Sequence, residues 1–166
     1  AVLCAERHAA GHHRRALAPR GQMNDLPNHL SPLTVAAPTL RAAGADDVDA
    51  ILRLLDAAGL PTADLTPDRW PAFIVAAGEG GALLGAVAIE RYGPHGLLRS
   101  LAVAPAQRGQ GVGALLLAAA QTQARADGLT TLSLLTDSAA PFFAARGWRR
   151  VARAEAPAAV QASTQF

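Results

Sequence analysis

Six consecutive residues, Arg108 to Gly113, have the most distinctive chemistry in the sequence: Arg-Gly-Gln-Gly-Val-Gly. Gly109, Gly111 and Gly113 have no side chains in the way, so successive backbone N–H groups can point at one anion. A helix that begins here adds its positive end, and Arg108 adds a full charge. The segment lacks the Lys-Ser/Thr pair of a P-loop and the glycine spacing of a dinucleotide-binding fold. It therefore predicts a phosphate-binding turn; the alternative is a plain connection between a strand and a helix.

Arg99 is the second unusual residue, because it stands among leucines in a predicted strand. A guanidinium in such a setting requires an anion. The anion is either a carboxylate of a bound substrate, held by two parallel hydrogen bonds, or a structural partner such as Glu90 or Asp137. Ser100 follows Arg99 and points to the opposite face of the strand.

The elements that must position these residues alternate between strands and helices. The phosphate turn opens a long amphipathic helix predicted over 112–126, which Gly128 ends. Strands 97–104 and 130–136 flank this helix and are parallel if it is a crossover connection. The pattern predicts an α/β fold with a mixed sheet. The other predicted strands are 34–41, 72–77, 83–91 and 148–154, and the other predicted helices begin near Asp46, Thr66, Asp137 and Pro157.

Composition and charge exclude several classes of protein. Half of the 166 residues are hydrophobic, which suits one domain with a sizeable core. No apolar run is long enough to span a membrane. Residues 37–166 contain eleven Arg and eleven acidic residues, so this part has no net charge and no basic stripe for nucleic acid. Cys4 is the only cysteine, which excludes a disulfide within the chain and a thiolate zinc site, and we expect a cytoplasmic protein without a metal.

Residues 1–33 are predicted to be a disordered leader, and residues 34–166 a single folded domain. The leader contains four of the five His and lacks helical or strand periodicity. Met23 is the only methionine. If translation begins at Met23, residues 1–22 lie upstream of the true start.

The strand end and the turn together resemble the acetyl-CoA signature of the GNAT superfamily of N-acetyltransferases. Leu101-Ala102-Val103-Ala104-Pro105, followed by Arg108-x-x-Gly111-x-Gly113, matches that signature. The resemblance implies a GNAT-like, mostly antiparallel sheet of six to seven strands, flanked by helices, with a central parallel pair splayed around acetyl-CoA. It implies no metal. The residues it implies for cofactor binding are Leu101, Ala102, Val103, Arg108, Gly109, Gln110, Gly111, Val112, Gly113, Ala114 and Phe143.

A narrower resemblance rests on three further segments. The run at 85–105, the segment LLTDSAAPFFAARGW and the ending APAAVQASTQF are similar to the arsenic-resistance-associated N-acetyltransferases, a GNAT subfamily. This similarity implies a small-molecule amine as the acceptor, such as an amino-acid-like organoarsenical or a related toxic analogue, and a role in detoxification. It does not imply binding of arsenite, which requires several thiolates.

The resemblance also suggests catalytic groups. A backbone N–H near Val103 is the expected donor to the thioester carbonyl. Glu90 is a candidate base, directly or through one water, and otherwise an exposed carboxylate at a strand end. Many GNAT enzymes place a Tyr acid where this chain has Phe143, which cannot donate a proton. Tyr92, the only tyrosine, lies on the same strand face as Glu90 if the strand continues, and is the alternative acid.

Ser100 and Thr136 are candidate substrate-binding residues together with Arg99, and Arg153 and residues 161–165 are expected to close the acceptor pocket. A possible homodimer is also expected. Two alternatives stay open: an acetyltransferase acting on a protein amine, and an acetyl-CoA-binding sensor without catalysis, which the missing Tyr favours.

Overall fold

The computed structural model describes residues 1–6 and 36–166 of the chain. Its centre is a seven-stranded sheet in the order β2-β3-β4-β5-β6-β1-β7. The strands are β1 (Val2–Glu6), β2 (Thr39–Ala42), β3 (Phe73–Ala77), β4 (Leu83–Tyr92), β5 (His95–Val103), β6 (Thr131–Leu135) and β7 (Arg149–Val151). The α-helices are α1 (Val48–Ala57), α2 (Val112–Ala126), α3 (Ala140–Ala144) and α4 (Ala158–Gln161).

All strand pairs are antiparallel except β5 and β6. The long α2 connects these two strands as a crossover, which is why they run in the same direction. The predicted mixed, mostly antiparallel sheet with one central parallel pair is confirmed.

Each face of the sheet carries its own hydrophobic core. On one face, Leu116, Leu117 and Ala120 of α2 pack against Val87 and Leu98. The opposite face packs against α1, whose buried residues are Ile51, Leu54 and Leu55. Alternate residues of β4 therefore belong to different cores, and this alternation places Glu90 on the α1 face.

Gly85 allows α2 to lie close to the sheet. A Cβ atom at this position would stand 2.7 Å from a methyl group of Leu116 and 2.8 Å from the carbonyl oxygen of Ala102. The second contact is with backbone, which cannot move aside as a side chain can. Glycine in β4 therefore fixes the distance between the sheet and the helix that begins at the phosphate turn.

The prediction of a disordered leader from residue 1 is wrong for the first six residues. Val2–Glu6 form β1, which lies between β6 and β7 and pairs with both. Val2, Leu3 and Cys4 are buried, because a strand inside a sheet has neighbours on both edges and both faces. The rest of the predicted leader, 7–33, and the proposed start at Met23 lie outside the described residues.

Most predicted element positions are confirmed, with bounds that differ by up to five residues. The helix 112–126 is observed over the predicted residues. The first strand of the predicted domain begins at Thr39 rather than 34, with 34–35 outside the described residues. The predicted strand 148–154 is reduced to three residues, because Arg153–Glu155 form a 3-10 turn. Of the helices in the described part of the chain, none is both long and apolar enough to cross a membrane.

Candidate active site

The candidate site is a cleft that opens where β5 and β6 diverge. The two strands pair only from His95 to Leu97 against Thr131 to Ser133, and the ladder ends there. Beyond it lies a cavity of about 1,160 Å³, with Leu98 to Val103 on one wall and Leu134 to Thr136 on the other. The edge of β5 that faces β6 has no ladder partner over these residues, so its backbone groups are available to an extended ligand.

A β-bulge shapes the wall of the cleft at Ser100. Ala86 pairs with Ala102 and Ala88 pairs with Arg99, so one extra residue stands on β5 between these pairs. Ser100 has φ of 56°, the one non-glycine residue with positive φ in the described part of the chain. A bulge of this kind turns the strand and releases backbone groups from the ladder.

The predicted phosphate turn lies at one end of the cleft. Gly111 has φ of 84° and precedes the first residue of α2, and Gly109 has φ of 77°. A Cβ at either position would meet no atom within 4 Å, so glycine is required here for conformation rather than for space. The first four N–H groups of α2 have no partner within the helix, and its positive end faces the same region.

Arg108 is exposed beside this turn and lines the cleft. Its Nε donates a hydrogen bond of 3.3 Å to the carbonyl oxygen of Val103, and among the described residues no carboxylate lies within 4.0 Å of it. Five other predicted cofactor residues also line the cleft: Leu101, Ala102, Val103, Gly113 and Phe143. The remaining five, Gly109, Gln110, Gly111, Val112 and Ala114, form the turn and the start of α2.

Arg99 lies on the α1 face with its side chain 4% exposed. Its Nη1 donates to Glu90 at 2.6 Å and to Asp64 at 2.5 Å, and its Nη2 donates to the second oxygen of Asp64 at 2.9 Å. Nε donates to the hydroxyl of Ser100 at 3.3 Å. The predicted structural pair with Glu90 is present, whereas Asp64, not Asp137, is the second partner.

Asp64 lies in the loop that follows α1 and accepts two hydrogen bonds from Arg99. The hydrogen bonds from Arg99 lower the pKa of this carboxyl from 3.8 to about 2, with further help from the guanidinium charge and from Gln165. Gln165 donates to Asp64 at 3.0 Å. The loop after α1 and the residues around 165 are thereby joined at this end of the cleft.

Glu90 is buried at 8% exposure and is not the exposed strand-end carboxylate of the alternative prediction. It accepts hydrogen bonds from Arg99, from Arg69 and, at 2.6 Å, from the hydroxyl of Tyr92. Burial alone would raise the pKa of Glu90, but the hydrogen bonds from Tyr92 and Arg99 and the charge of Arg99 together lower it. Burial and the neighbouring Glu90 raise the pKa of Tyr92.

Tyr92 and Glu90 share one strand face, as predicted, but neither lines the cleft between β5 and β6. They border a separate cavity of about 900 Å³ between the β2 edge, Arg69 and α2. Arg99 stands between Glu90 and the cleft, because it lines the cleft and contacts Glu90 directly. The structure thus brings Glu90, Tyr92 and Arg99 together as one cluster, with only Arg99 on the cleft wall.

Polar side chains from β5, from the end of β6 and from the last residues of the chain also line the cleft. Ser100, Thr136, Arg153 and Gln165 all line it. The hydroxyl of Thr136 accepts the N–H of Ala139 at 3.0 Å, and Arg153 is exposed. These polar residues include three that were predicted to contact the acceptor, Ser100, Thr136 and Arg153, which all lie on the wall of one cleft.

Phe143 is buried in the core against Phe142 and Trp148, with ring centroids 5.1 Å and 5.6 Å away. Phe142 is the ring nearest to the turn, because a Cβ at Gly113 would meet it at 3.6 Å. The position expected to hold a proton donor is therefore part of an aromatic cluster. α3 itself spans five residues, shorter than predicted, since a tight turn at Gly147 follows it.

Asp64 and Arg69 were not predicted from the sequence, and Gln165 was predicted only as part of a polar segment, 161–165. Asp64 stands in a Pro-Thr-Ala-Asp loop that has no motif, and it lies 35 positions from its partner Arg99. The one available signal was Arg99 itself, since a buried guanidinium requires anions and the nearest strand supplied only one.

The sequence matches the acetyltransferase (GNAT) family over residues 48–148. No curated protein matches the sequence. The predicted enzyme class, an N-acetyltransferase that uses acetyl-CoA, is the class of this family.

Solved structures give the same fold. An N-acetylglutamate synthase from Neisseria gonorrhoeae, solved with coenzyme A and N-acetyl-glutamate, is similar with a TM-score of 0.69 and 25% identity over 76% of this chain. This chain covers 31% of that chain, so it spans about a third of the synthase. Rv2747 from Mycobacterium tuberculosis, solved with CoA, is similar with a TM-score of 0.63 and 27% identity. The match covers 69% of this chain and 74% of Rv2747. Ard1 from Thermoplasma volcanium has a TM-score of 0.62 and 23% identity, and the match covers 70% of this chain and 86% of Ard1.

Proposed function

Because this chain belongs to the acetyltransferase (GNAT) family, we propose that it transfers an acetyl group from acetyl-CoA to the amino group of a small molecule. The observation that carries the proposal is the cleft between β5 and β6, whose lining includes Arg108 and Gly113 of the glycine turn as well as several polar side chains. One cleft lined by both sets of groups suits two substrates that must meet there.

The turn supports acetyl-CoA as the first substrate. Arg108 and the N–H groups at the start of α2 would hold its pyrophosphate, since guanidinium and helix N-termini both favour phosphate oxygens. The unpaired edge of β5 would accept the extended pantetheine arm through main-chain hydrogen bonds. The residues present therefore fit this substrate without a metal ion.

The transfer itself is a nucleophilic substitution at the thioester carbonyl. The neutral amine forms the new C–N bond, the carbonyl oxygen becomes negative, and the C–S bond then breaks to release CoA. A backbone N–H of β5 near Val103 would stabilise the negative oxygen. The amine releases one proton to solvent, and the departing thiolate takes up one.

Glu90 and Tyr92 are proposed as positioning residues for Arg99 rather than as the base and the acid. Arg99 separates Glu90 from the cleft. Although Glu90 is buried, the hydrogen bonds that it accepts keep it ionised and lower its pKa, which makes it a weak base. The amine then loses its proton to water, and kcat/KM rises with pH up to the pKa of the acceptor's ammonium group, which for a free amino acid lies above the value of about 7.7–8.0 of a peptide amino terminus, because of the adjacent carboxylate. With Tyr92→Phe, kcat should stay within about two-fold; a loss of 100-fold would make Tyr92 the acid.

The acceptor is proposed to be amino-acid-like, and an organoarsenical amine or a related toxic analogue is the specific class suggested by the resemblance to arsenic-resistance-associated enzymes. One similar structure, the N-acetylglutamate synthase, contains an acetylated amino acid. Ser100, Thr136 and Gln165 offer hydroxyl and amide groups for such a molecule.

A second candidate is a sensor that binds acetyl-CoA without catalysis. The buried Phe143 favours it, because that side chain cannot protonate a thiolate.

One assay separates these functions. The protein is mixed with acetyl-CoA and a thiol reporter, and amino acids, aminophosphonates, amino-containing organoarsenicals and a peptide are offered as acceptors. CoA release with a small amine supports the proposal, and release with the peptide alone supports a protein acceptor. Acetyl-CoA that binds tightly in calorimetry but is never consumed would establish the sensor and refute the enzyme.

A further inference from the structure

We propose that Arg153 is the residue that binds the anionic group of the acceptor, so that the substrate is an amine carrying a carboxylate, phosphonate or arsonate. This inference rests on the proposed function and names the substrate class of the same cleft. The three acids share one chemistry: two or more oxygens bearing a negative charge that a guanidinium can hold with parallel hydrogen bonds.

Three Arg side chains line the cleft, and their surroundings differ. Arg108 belongs to the turn proposed to bind acetyl-CoA, which leaves Arg99 and Arg153 as the candidates for the acceptor. Arg99 already donates to both oxygens of Asp64 and to Glu90, and its side chain is 4% exposed. With the bond from Nε to Ser100, four of its five N–H groups are in use, so Arg99 has no pair of parallel donors left for a ligand unless one of these carboxylates is displaced.

Arg153 lacks such a partner within the described residues. It is exposed, and no carboxylate of residues 1–6 or 36–166 lies within 4.0 Å of its guanidinium. Glu155, two positions away, instead accepts the backbone N–H of Ala152 at 3.2 Å and closes its own turn. The guanidinium carbon of Arg153 lies 5.1 Å from the centre of the Phe166 ring, which restricts the side chain while leaving its N–H groups free to donate.

Apart from Arg108 at the turn, Arg153 is the guanidinium of the cleft whose charge no carboxylate of the described residues balances. Arg69 and Arg99 are balanced by Asp64 and Glu90 in the buried cluster. Asp137 is the one carboxylate among the described residues that line the cleft, and its side chain is fully exposed to solvent. Arg153 therefore favours an anion, while Ser100, Thr136 and Gln165 line the same cavity as neutral hydrogen-bonding groups.

The experiment compares each anionic acceptor with a neutral analogue. The pairs are L-alanine with L-alaninamide and 3-aminopropylphosphonate with 3-aminopropanol. The proteins are wild type, Arg153→Ala and the control Arg150→Ala, which removes an exposed Arg of β7 that does not line the cleft. With kcat/KM expressed per concentration of unprotonated amine, we expect wild type to prefer the anionic member. Arg153→Ala should lower kcat/KM for this member at least ten-fold, with unchanged kcat/KM for the neutral member and unchanged KM for acetyl-CoA.

Two results would overturn the assignment: no preference for the anion in wild type, or equal losses for both members of a pair in Arg153→Ala. Calorimetric titration of 3-aminopropylphosphonate into the CoA-loaded protein tests Arg153 even without turnover. We expect binding to weaken at least ten-fold in Arg153→Ala and not in Arg150→Ala. Absent or equal binding refutes the role of Arg153, whereas binding without acetylation refutes only the proposed enzyme activity.

Discussion

Arg99 and Arg108 lie nine residues apart, and both line the same cleft, yet their surroundings are opposite. Arg99 is buried and neutralised by Asp64 and Glu90. Arg108 is exposed, and its Nε donates a hydrogen bond to the carbonyl oxygen of Val103. One guanidinium has been satisfied by the fold, and the other remains available to a ligand.

A cation near a cleft therefore does not by itself identify a binding residue. The buried cluster around Arg99 holds together elements that are distant in sequence: β4, β5, the loop after α1 and the residues near 165. The turn around Arg108 involves neighbouring residues only. Changes in the cluster should therefore affect stability first, and changes at the turn should affect acetyl-CoA first.

The largest effect is expected from Glu90→Ala. Removing this carboxylate leaves Arg99 with Asp64 alone and leaves Arg69 unpaired, and breaking a buried pair costs about 3–5 kcal/mol. Urea unfolding would measure the free energy of unfolding, with Glu79→Ala, an exposed residue in a turn, as the control. A loss under 1 kcal/mol would show that the cluster does not hold these elements together.

A smaller effect is expected from Asp64→Asn, and it depends on pH. The folded pKa of Asp64, about 2, lies below the ordinary 3.8, so its contribution of about 2 kcal/mol is complete above pH 4 and disappears as the pH falls through 2. The difference in unfolding free energy between wild type and variant should therefore shrink from pH 5 to pH 2. Asp56→Asn, on the exposed side of α1, is the control. If the difference in unfolding free energy between wild type and Asp64→Asn did not change with pH, the ion pair between Asp64 and Arg99 would not contribute to stability.

The smallest effect on stability is expected from Gly111→Ala. Alanine in the left-handed conformation costs about 1–2 kcal/mol, and Gly128→Ala at the other end of α2 should cost the same. Only the first change should also weaken acetyl-CoA binding in calorimetry, because only Gly111 lies in the turn. Equal affinities in the two variants would mean that the turn conformation is not needed for binding.

Local signals account for what the sequence predicted well. Gly111 and Gly128 mark both ends of α2, so its limits were predictable. β1 was not, because its five residues are followed by a long polar stretch and pair with partners about 130 positions away. The cluster around Arg99 was half predictable: Glu90 lies on the neighbouring strand, while Asp64 is brought there by a loop without a motif.

The most direct test of the proposed acetyl-CoA site in the cleft is the affinity of Arg108→Ala for two acetyl donors. Acetyl-CoA carries the pyrophosphate, and S-acetylpantetheine lacks it. Because charge-assisted hydrogen bonds are worth about 1.5–3 kcal/mol, calorimetry should show binding of acetyl-CoA weakened by about 10- to 100-fold and binding of S-acetylpantetheine within about two-fold of wild type. Arg125→Ala, an exposed position on α2, should change neither. Equal losses for both donors, or no loss for acetyl-CoA, would contradict the assignment of the turn as the pyrophosphate end of the cleft.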